Sequence, residues 1–527
     1  MKQFILIIAA LCFSTYCLGQ APAIQWQKCF GGSYGEIPNG ILQTADGGYL
    51  ICGSTTSVDG QVTGLHDPSS TNSDVWLVKT DASGNLKWQK CLGGSGSDAA
   101  NAVIQAADGS YVFVANTNSL DGDVTGDHGS DVWVVKVDTT GNIIWEKCFG
   151  GSLYDGGSAI RETSDHGFIV CGSTASNDGD VSGNHMGQGF PTDVWIFKVS
   201  NTGSLLWQKC YGGTSYEEAV SIQQTVDGGF IAVGQTGSND GDVTGNHGQD
   251  DYWLIKLDPT GNLSWAKCFG GSQAEWSGGV QQCSDQSYIL AGYSNSHDGD
   301  VTGILGSSIN YWIVKVGISG NLLWEKSYGG GGGLADDRAN SVTQTPDGGY
   351  LAAGLTNYDS IPGNVSGIHG TWYTSDAWVI KLNTTGALLW EKCFGGTGNE
   401  TAQDVILTHD GALAFTGYTE SNDGDVSGNH GSDDFWVVKT GNISNLTEYN
   451  SNIKSISIHP NPSTGIITIE RESQDFQSIK IIDFKGEVVY SGFMEGSGAS
   501  KFDIGYLQNG MYLFIAGLEK YKLMILK

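Results

Sequence analysis

One pattern recurs along most of this chain. The segment Asp131–Gly151 has two runs of alternating apolar and polar residues around a Gly141-Asn142 turn, which predicts an antiparallel β-hairpin. Each half of this hairpin carries a tryptophan and occurs seven times, at spacings of 57 to 66 residues. The first halves contain Trp76, Trp133, Trp195, Trp253, Trp312, Trp378 and Trp436, and the second halves contain Trp26, Trp88, Trp145, Trp207, Trp265, Trp324 and Trp390. Sevenfold repetition at this period restricts the chain to a repeat architecture.

Each repeat contains four strand-like segments. In the second repeat these are Ala100–Gln105, Tyr111–Asn116, Val132–Val137 and Ile143–Phe149. Four short antiparallel strands per unit, repeated seven times, predict an all-β fold with a seven-bladed β-propeller over residues 20–440.

The ends of the array are offset by one strand. The first copy, Ile24–Phe30, has only the outermost strand of a blade, and the last blade, residues 402–440, lacks that strand. We therefore expect the N-terminal strand to complete the last blade and close the ring. Closure would remove the exposed strand edges that an open array leaves.

The repeat also carries a longer motif. It reads approximately Ile-x-x-Thr-x-Asp-Gly-Gly-Tyr-Ile-x-x-Gly-x-Thr-x-Ser, followed by Asp-x-Trp-x-x-Lys-x-Asp-x-x-Gly-Asn-Leu-x-Trp-x-Lys-x-Phe-Gly-Gly. This motif is similar to the SBBP-type β-propeller repeat of secreted bacterial proteins, over about residues 24–440. The resemblance implies the propeller fold and no particular activity, because propellers host many functions.

The N-terminal residues 1–19 have the features of a signal peptide. Lys2 precedes the apolar run Phe4–Phe13, and a plausible cleavage site follows Gly19. A membrane anchor is the weaker interpretation, because the apolar run is about half the length that spans a bilayer. Tyr16 before Cys17 argues against a lipoprotein. We therefore expect an exported protein without a transmembrane segment in the mature chain.

The C-terminal residues 453–527 form a separate module after a polar linker at 441–452. They contain Pro460-Asn461-Pro462, strand-like runs, the segment Leu507–Tyr512 and the terminal Lys527. The module resembles the C-terminal sorting domain of type IX secretion substrates, a small β-sandwich. The resemblance implies export by the type IX secretion machinery, removal of the tail, and release or attachment at the outer cell surface. The alternative is an ordinary small β-sandwich used for binding.

The acidity of the chain is concentrated in the propeller. The whole chain has 26 Lys and Arg and 56 Asp and Glu; eight of each belong to residues 454–527, and Lys2 belongs to the signal. This leaves 17 cations against 48 carboxylates, a net charge of −31, which argues against nucleic acid as a partner. Fourteen of the 17 cations are the repeat lysines, and the others are Lys87, Arg161 and Arg338.

The long loop before the tryptophan hairpin is the most acidic part of each repeat. Strand order places these loops and the Gly-Gly connections on one face, where the loop lengths also vary, so function is expected there. Oxygen-bearing residues at loop positions 1, 3 and 5 with Gly at 6, and in two repeats Asp at 12, resemble a Ca²⁺ loop. The candidate calcium ligands are Asp121, Asp123, Asp178, Asp180, Asp240, Asp242, Asp251, Asp423, Asp425 and Asp434. Asx-turns, in which Asp bonds to nearby backbone, are the alternative explanation.

A further carboxylate follows the Gly-Gly pair by a fixed interval in six repeats, whereas the sixth has Leu334 there with Asp336-Asp337 close behind. Glu36 and Asp98 occupy this position in the first two repeats, and Glu275 and Glu400 in two later ones. These residues would either form a ring around the channel mouth or cap the start of a strand. Capping is the preferred interpretation, because a structural role suits every blade and catalysis requires asymmetry.

Two tryptophans do not belong to the repeat. Trp276 lies in the Gly-Gly connection before the fifth blade, and Trp372 lies beside Tyr373 in the long loop of the sixth. Exposed aromatic residues next to carboxylates are typical of carbohydrate-binding surfaces, so these three are the candidate ligand-binding residues. The alternative is that the aromatic side chains pack against the rim of the propeller.

These features favour a non-catalytic, secreted or surface-attached propeller that binds a glycan or a protein through the acidic loop face. A glycan-degrading enzyme and a structural or adhesion component are the alternatives. No catalytic residue, and no cofactor beyond calcium, is predicted. The nine cysteines after the signal are expected to be small buried strand residues, since equivalent positions of a repeat array lie too far apart for a disulfide.

Overall fold

The computed structural model describes residues 20–443, apart from 127, 186–190, 307–308, 333–335, 358–362 and 372. In the tail it describes 457–525, apart from 460–462, 465, 472–476, 484–487, 495–497 and 517–518. The predicted signal, residues 1–19, and most of the predicted linker therefore lie outside the described residues. The chain divides into two compact units after residue 445. In the described residues all regular elements are β-strands, as predicted.

The first unit is a ring of seven four-stranded antiparallel sheets, numbered here as blades in chain order. Blade 1 contains β2 (Glu36–Gln43), β3 (Tyr49–Thr55), β4 (Asp74–Thr80) and β5 (Leu86–Leu92). Blade 2 contains β6 (Asp98–Gln105), β7 (Tyr111–Thr117), β8 (Asp131–Val137) and β9 (Ile143–Phe149). Blade 3 contains β10 (Asp155–Glu162), β11 (Phe168–Thr174), β12 (Asp193–Val199) and β13 (Leu205–Tyr211). Blade 4 contains β14 (Glu217–Gln224), β15 (Phe230–Thr236), β16 (Asp251–Leu257) and β17 (Leu263–Phe269).

The remaining three blades follow the same order. Blade 5 contains β18 (Glu275–Gln282), β19 (Tyr288–Ser294), β20 (Asn310–Val316) and β21 (Leu322–Tyr328). Blade 6 contains β22 (Arg338–Gln344), β23 (Tyr350–Asn357), β24 (Ser375–Leu382) and β25 (Leu388–Phe394). Blade 7 contains β26 (Asp404–Leu407), β27 (Ala412–Thr419), β28 (Asp434–Asn442) and the N-terminal β1 (Ile24–Phe30).

The N-terminal strand closes the ring as predicted. β1 pairs antiparallel with β28, with Trp26 opposite Lys439 and Phe30 opposite Phe435. Blade 7 therefore contains strands from both ends of the propeller sequence, so the first and last blades are held together by backbone hydrogen bonds.

The core of the propeller lies between blades. The third strands, such as Asp131–Val137, are buried along their whole length, and all seven of their tryptophans are fully buried. Aromatic rings pack across the blade junctions: Trp76 lies 4.7 Å from Phe435, and Tyr311 lies 4.5 Å from Trp378. Each blade thus buries its apolar faces against its neighbours.

The hairpin turn also contributes to this packing. Gly141 has a φ of +82°, and a Cβ added to it would lie 3.0 Å from a ring atom of Trp88 in the preceding blade. The turn therefore requires glycine both for its backbone conformation and for the close approach of the neighbouring indole. Trp88 Nε1 donates a hydrogen bond to the Thr139 carbonyl in the same turn, at 3.1 Å.

The second unit is a small β-sandwich. One sheet contains β29 (Ser457–His459), β30 (Ile466–Arg471) and β33 (Gly498–Asp503), and the other contains β31 (Gln477–Ile482), β32 (Val488–Met494), β34 (Gly510–Ala516) and β35 (Glu519–Ile525). Isoleucines of both sheets, among them Ile467, Ile469, Ile479 and Ile481, form one buried cluster. This arrangement agrees with the predicted fold of the tail.

Candidate functional site

The first strands of the blades surround a central channel of about 1130 Å³. Each first strand begins at the face that carries the Gly-Gly connections and the long loops, here called the long-loop face. It ends at the opposite face, which carries the tight turns and is here called the short-turn face. Residues that differ between blades at either end of the channel are therefore the first candidates for a binding site.

Trp276 lies at the long-loop end of the channel. It is the second residue of β18, paired with Tyr293 on β19, and not part of the preceding connection as the sequence suggested. The two rings are stacked, with centroids 5.2 Å apart and planes inclined by 27°. Glu275 and Trp276 pair with Ser294 and Tyr293 on β19. This pairing holds Trp276 within the strand at the long-loop end.

A cation continues this row of rings onto blade 6. The Arg338 guanidinium carbon lies 5.3 Å from the centre of the Tyr293 ring, within the range of a cation–π interaction. Arg338 also donates two hydrogen bonds to Asp336, at 2.6 and 2.8 Å. This bidentate pair holds the guanidinium in place. Trp276, Tyr293 and Arg338 therefore form one ordered row across two blades.

The other two predicted ligand-binding residues are Trp372 and Tyr373. Tyr373 is 93% exposed. Trp372 lies outside the described residues, so its role in ligand binding stays a prediction.

Two tyrosines extend the row to blades 3 and 4. Tyr154 and Tyr216 directly precede the first strands of these blades and are 48% and 42% exposed. Tyr216 Oη donates a hydrogen bond to Glu218, which also accepts one from Gln235 Nε2 at 3.2 Å. Electrostatic repulsion by Glu218 adds to burial in raising the pKa of Tyr154, so residues of both blades share this region. Sequence reasoning missed these residues, although alignment of the repeats would have placed them beside the Trp276 position.

We call this set the mouth arc: Tyr154, Tyr216, Glu218, Gln235, Trp276, Tyr293, Asp336 and Arg338. On blades 1 and 2 the positions equivalent to Trp276 are Ile37 and Ala99. The mouth arc as defined lies on blades 3 to 6. Blade 7 has Tyr418 at the position equivalent to Tyr293, and blade 1 has the exposed Tyr34 in the connection before its first strand. Half-exposed aromatic faces with fixed hydrogen-bonding groups between them suit a ligand that has both apolar and hydroxyl surfaces.

The carboxylate that follows each Gly-Gly pair caps a strand, which confirms the preferred interpretation. Each is fully buried and accepts a hydrogen bond from the backbone N–H of the second glycine of the pair, at 2.7 to 2.9 Å. These residues are Glu36, Asp98, Asp155, Glu217, Glu275, Asp337 and Glu400. All seven therefore have the same structural role in their blades.

The first aspartate of the long loop is bonded to the Gly-Gly connection of its own blade. In six blades it accepts a hydrogen bond from the backbone N–H of the residue after the glycines, at 2.6 to 2.8 Å. The aspartates are Asp59, Asp121, Asp178, Asp240, Asp298 and Asp423. These hydrogen bonds give four of the predicted calcium ligands a structural role that needs no bound ion.

The other candidate calcium ligands are also placed by the structure. Asp123 Oδ2 and Asp242 Oδ2 each lie 3.8 Å from a histidine Nε2 of the preceding blade. The backbone N–H groups of Asp180 and Asp425 donate to the first glycine carbonyl of their blades, at 2.9 and 2.8 Å. In the described part of the chain no three His, Cys, Asp or Glu side chains meet in a metal-binding geometry. The calcium hypothesis stays a prediction.

Asp251 and Asp434, predicted as the twelfth ligands, are buried beside histidines. Asp251 Oδ2 lies 2.6 Å from His247 Nδ1, and Asp434 Oδ2 lies 2.6 Å from His430 Nδ1. Burial disfavours the charged form of His247, but the hydrogen bond to Asp251 together with the attraction of Asp251, Asp300 and Glu275 outweighs burial and raises the histidine pKa. These pairs join the long loop to the third strand of the same blade.

Comparison with known proteins identifies the tail. Residues 457–524 match the family model of the secretion system C-terminal sorting domain. No curated protein sequence matches the chain. In the described residues, no helix is long and apolar enough for a transmembrane span.

Solved structures with a similar fold have very different sequences. The chain is similar to the WD40 domain of Neurospora crassa Pan2, at 8% identity and a TM-score of 0.41 over 78% of this chain and 90% of that one. It is also similar to the polysaccharide lyase Uly1, at 10% identity and a TM-score of 0.43 over 79% and 99%. A protein of unknown function from Dyadobacter fermentans gives 10% and 0.37 over 79% and 98%. Such similarity concerns the fold alone.

The fold and the tail together define a seven-bladed β-propeller protein with a type IX secretion sorting domain. The protein is secreted or attached to the cell surface, and its tail is handled by the secretion machinery. The SBBP repeat type stays a prediction.

Proposed function

We propose that the propeller is a non-catalytic binding module that holds a glycan on its long-loop face, at the mouth arc. The ordered row formed by Trp276, Tyr293 and Arg338 is the observation that carries this proposal. Aromatic faces can pack against the apolar faces of sugar rings while the neighbouring amide, carboxylate and guanidinium groups bond to hydroxyls. A protein loop with the same combination of surfaces is the alternative ligand.

The absence of seven-fold symmetry at the mouth supports binding at this place. Repeated side chains such as the capping carboxylates serve every blade, whereas no other blade has a tryptophan at the position of Trp276. The long-loop face also carries the acidic loops, so a neutral glycan is preferred to a polyanionic one.

A glycan array probed with the full chain and its Trp276→Ala variant tests the proposal. We expect the wild-type protein to bind a defined set of neutral glycans and the variant to lose most of that signal. Ile37→Ala is the matched control, because Ile37 occupies the equivalent position on blade 1 and is 46% exposed. Equal glycan binding by wild type and Trp276→Ala, with unchanged unfolding temperatures, would contradict the proposal.

The non-catalytic part has its own test. Glycans that bind are incubated with the protein and examined by mass spectrometry for cleavage. We expect the intact glycan, because the repeated carboxylates are buried and already accept structural hydrogen bonds. Release of shorter products would support the alternative of a glycan-degrading enzyme.

A further inference from the structure

The wall of the central channel differs between its two halves. One position on each first strand lines the channel at the same height, the penultimate residue of β2 and of its equivalents in the other blades. Blades 7, 1 and 2 have apolar side chains at this position, and blades 3 to 6 have polar ones. In blade order from 1 to 7 the residues are Leu42, Ile104, Arg161, Gln223, Gln281, Thr343 and Ile406, and all line the channel cavity.

The two glutamines present hydrogen-bond donors to the channel. Gln223 Oε1 accepts a hydrogen bond from the Gln282 backbone N–H at 2.9 Å, and Gln281 Oε1 accepts one from Gln344 N–H at 2.5 Å. Since the oxygen of each amide is held by the next blade, the orientation of its NH₂ group is determined as well. Neither Nε2 group donates a hydrogen bond to a described residue.

Arg161 lies on the blade next to these glutamines and is exposed to the channel. One of its amino groups, Nη1, donates a hydrogen bond to the Ile160 carbonyl at 2.8 Å. A guanidinium has five N–H donors, so further donors remain for a ligand. Arg161, Gln223 and Gln281 thus form a row of donors on three successive blades, which suits the oxygens of an anion.

Two carboxylates line the same cavity, and both are bonded within the wall. Glu162 Oε2 accepts the Ala107 backbone N–H at 2.9 Å, and Glu162 Oε1 lies 3.1 Å from His166 Nδ1. Asp404, on the far side of the channel, accepts hydrogen bonds from Ile41 N–H and Ser341 Oγ at 3.2 and 2.9 Å. Their oxygens are therefore engaged with partners of their own.

The short-turn face is the better route for an anion. There the lysine of each third strand is paired with an aspartate of the tight turn, at 2.6 to 3.6 Å in all seven blades. This pairing makes the short-turn face less acidic than the long-loop face, although Asp138 and Asp258 of its other tight turns bond only to neutral groups. Arg161 is the penultimate residue of β10, close to the short-turn end.

We propose that the short-turn end of the channel binds the carboxylate of a small ligand through Arg161, Gln223 and Gln281. The ligand is a free organic acid or an acidic sugar, because both present the same carboxylate to the row of donors. The apolar half of the wall, formed by Leu42, Ile104 and Ile406, lies across the channel from these donors and would contact the rest of the molecule. This site lies at the other end of the channel from the mouth arc.

Titration calorimetry of the full chain with glucuronate, acetate and glucose tests this site. We expect glucuronate to bind, glucose to give no heat of binding, and acetate to distinguish a carboxylate-only site from an acidic-sugar site. Arg161→Gln should weaken glucuronate binding at least about tenfold, and Arg161→Lys should weaken it less, because lysine keeps the charge and loses the bidentate geometry. Lys87→Gln is the charge-matched control, since Lys87 is an exposed cation that bonds to Asp46 at 3.1 Å.

Three results would overturn the proposal. The first is that neither glucuronate nor acetate binds the wild-type protein up to about 10 mM, the range of very weak ligands. The second is that Arg161→Gln keeps wild-type affinity. The third is that glucose binds as well as glucuronate, which would show that the charge is not recognised.

Discussion

Trp253 and Ala266 lie on the neighbouring strands β16 and β17, and the buried indole Nε1 of Trp253 has no acceptor among the described residues. In the six other blades the residue equivalent to Ala266 is glutamine or glutamate and accepts this hydrogen bond at 2.8 to 3.0 Å. The acceptors are Gln27, Gln89, Glu146, Gln208, Glu325 and Glu391. Blade 4 thus lacks one bond that the repeat otherwise always makes.

Ala266→Gln should stabilise the protein by about 1 kcal/mol, the usual net contribution of a hydrogen bond to a buried donor. The new side chain would accept from Trp253 Nε1, as Gln208 does for Trp195 in blade 3 at 3.0 Å. Chemical denaturation followed by tryptophan fluorescence measures the change. Ala266→Leu adds similar volume without an acceptor, and an equal gain for both variants would show that the hydrogen bond is not the cause.

Deletion of the N-terminal strand should prevent the ring from closing. Without Ile24–Phe30, the edge of β28 loses its partner and exposes unpaired backbone groups. We expect a soluble monomer to be replaced by aggregated or proteolysis-sensitive protein, as measured by size-exclusion chromatography and limited proteolysis. Deletion up to residue 21 is the control, because these residues precede β1 and should be dispensable. A monomeric, protease-resistant protein after deletion of the strand would refute this closure mechanism.

Folding stability should fall between mildly acidic and mildly alkaline pH. Burial raises the pKa of Glu36 to about 7, although hydrogen bonds from Ser57, Gly32 and Thr55 oppose the shift. A carboxyl whose pKa is raised by folding stabilises the native state below its unfolded pKa of about 4.5. That contribution is lost as the pH rises to about 7. Burial also raises the pKa of Glu275.

Glu36→Gln tests this pH dependence. The variant keeps the shape of the side chain and removes its ionisation, so it should be more stable than wild type at pH 8, by up to about 3 kcal/mol. The difference should vanish near pH 4.5. At still lower pH both proteins should lose stability, because bonding to lysines lowers the pKa values of turn residues such as Asp108 and Asp165 to about 2. A wild-type protein that is equally stable at pH 5 and pH 8 would contradict the prediction.

The nine cysteines of residues 20–527 should remain reduced and unreactive in the native protein. Seven of the nine are buried, and burial raises the pKa of Cys171 and Cys268 to about 12. The thiolate is the reactive species, so a thiol reagent should label the native protein slowly. Denaturation should expose all nine to the same reagent. Rapid labelling of native protein would contradict the prediction, and Cys148 and Cys210, which are only partly buried, are the first to examine.

The calcium hypothesis predicts that removal of Ca²⁺ with EDTA lowers the unfolding temperature and that added Ca²⁺ restores it. Replacement of Asp123 and Asp242 by Asn should then reduce the shift. These carboxylates accept only long hydrogen bonds from the first glycine of the pair, at 3.3 and 3.4 Å, whereas Asp121 and Asp240 accept short ones, at 2.6 and 2.8 Å. The measurement is differential scanning calorimetry, with Mg²⁺ as the control ion. Equal unfolding temperatures with EDTA and with Ca²⁺ would contradict the calcium hypothesis. Asx-type hydrogen bonding would then explain the repeated spacing of acidic residues in the loops.

The repeat pattern predicted most of the fold. Alternation within a strand and the turn residues between strands are local properties, so seven copies of one pattern sufficed to predict seven blades. The offset of Ile24–Phe30 predicted the closure of blade 7, because this segment supplies the one strand that the last blade lacks. The motif around Pro460-Asn461-Pro462 predicted the sorting domain in the same way.

The candidate site was only partly predictable. Trp276 was recognised because it departs from the repeat, whereas Tyr154, Tyr216 and Tyr293 were not, since no single repeat shows that they share one rim. The buried carboxylates were correctly interpreted as caps because each blade has one.

The sequence by itself determined the number of blades, their order, the closing strand and the exported nature of the protein, because these properties depend on short-range pattern and on motifs. Only the tertiary structure decided which side chains meet. Arg338 reaches Tyr293 across a blade junction, and Arg161, Gln223 and Gln281 share one level of the channel although about sixty residues separate each from the next. The closed ring brings such residues together, and the sequence pattern of a single blade contains no information about its neighbours' side chains.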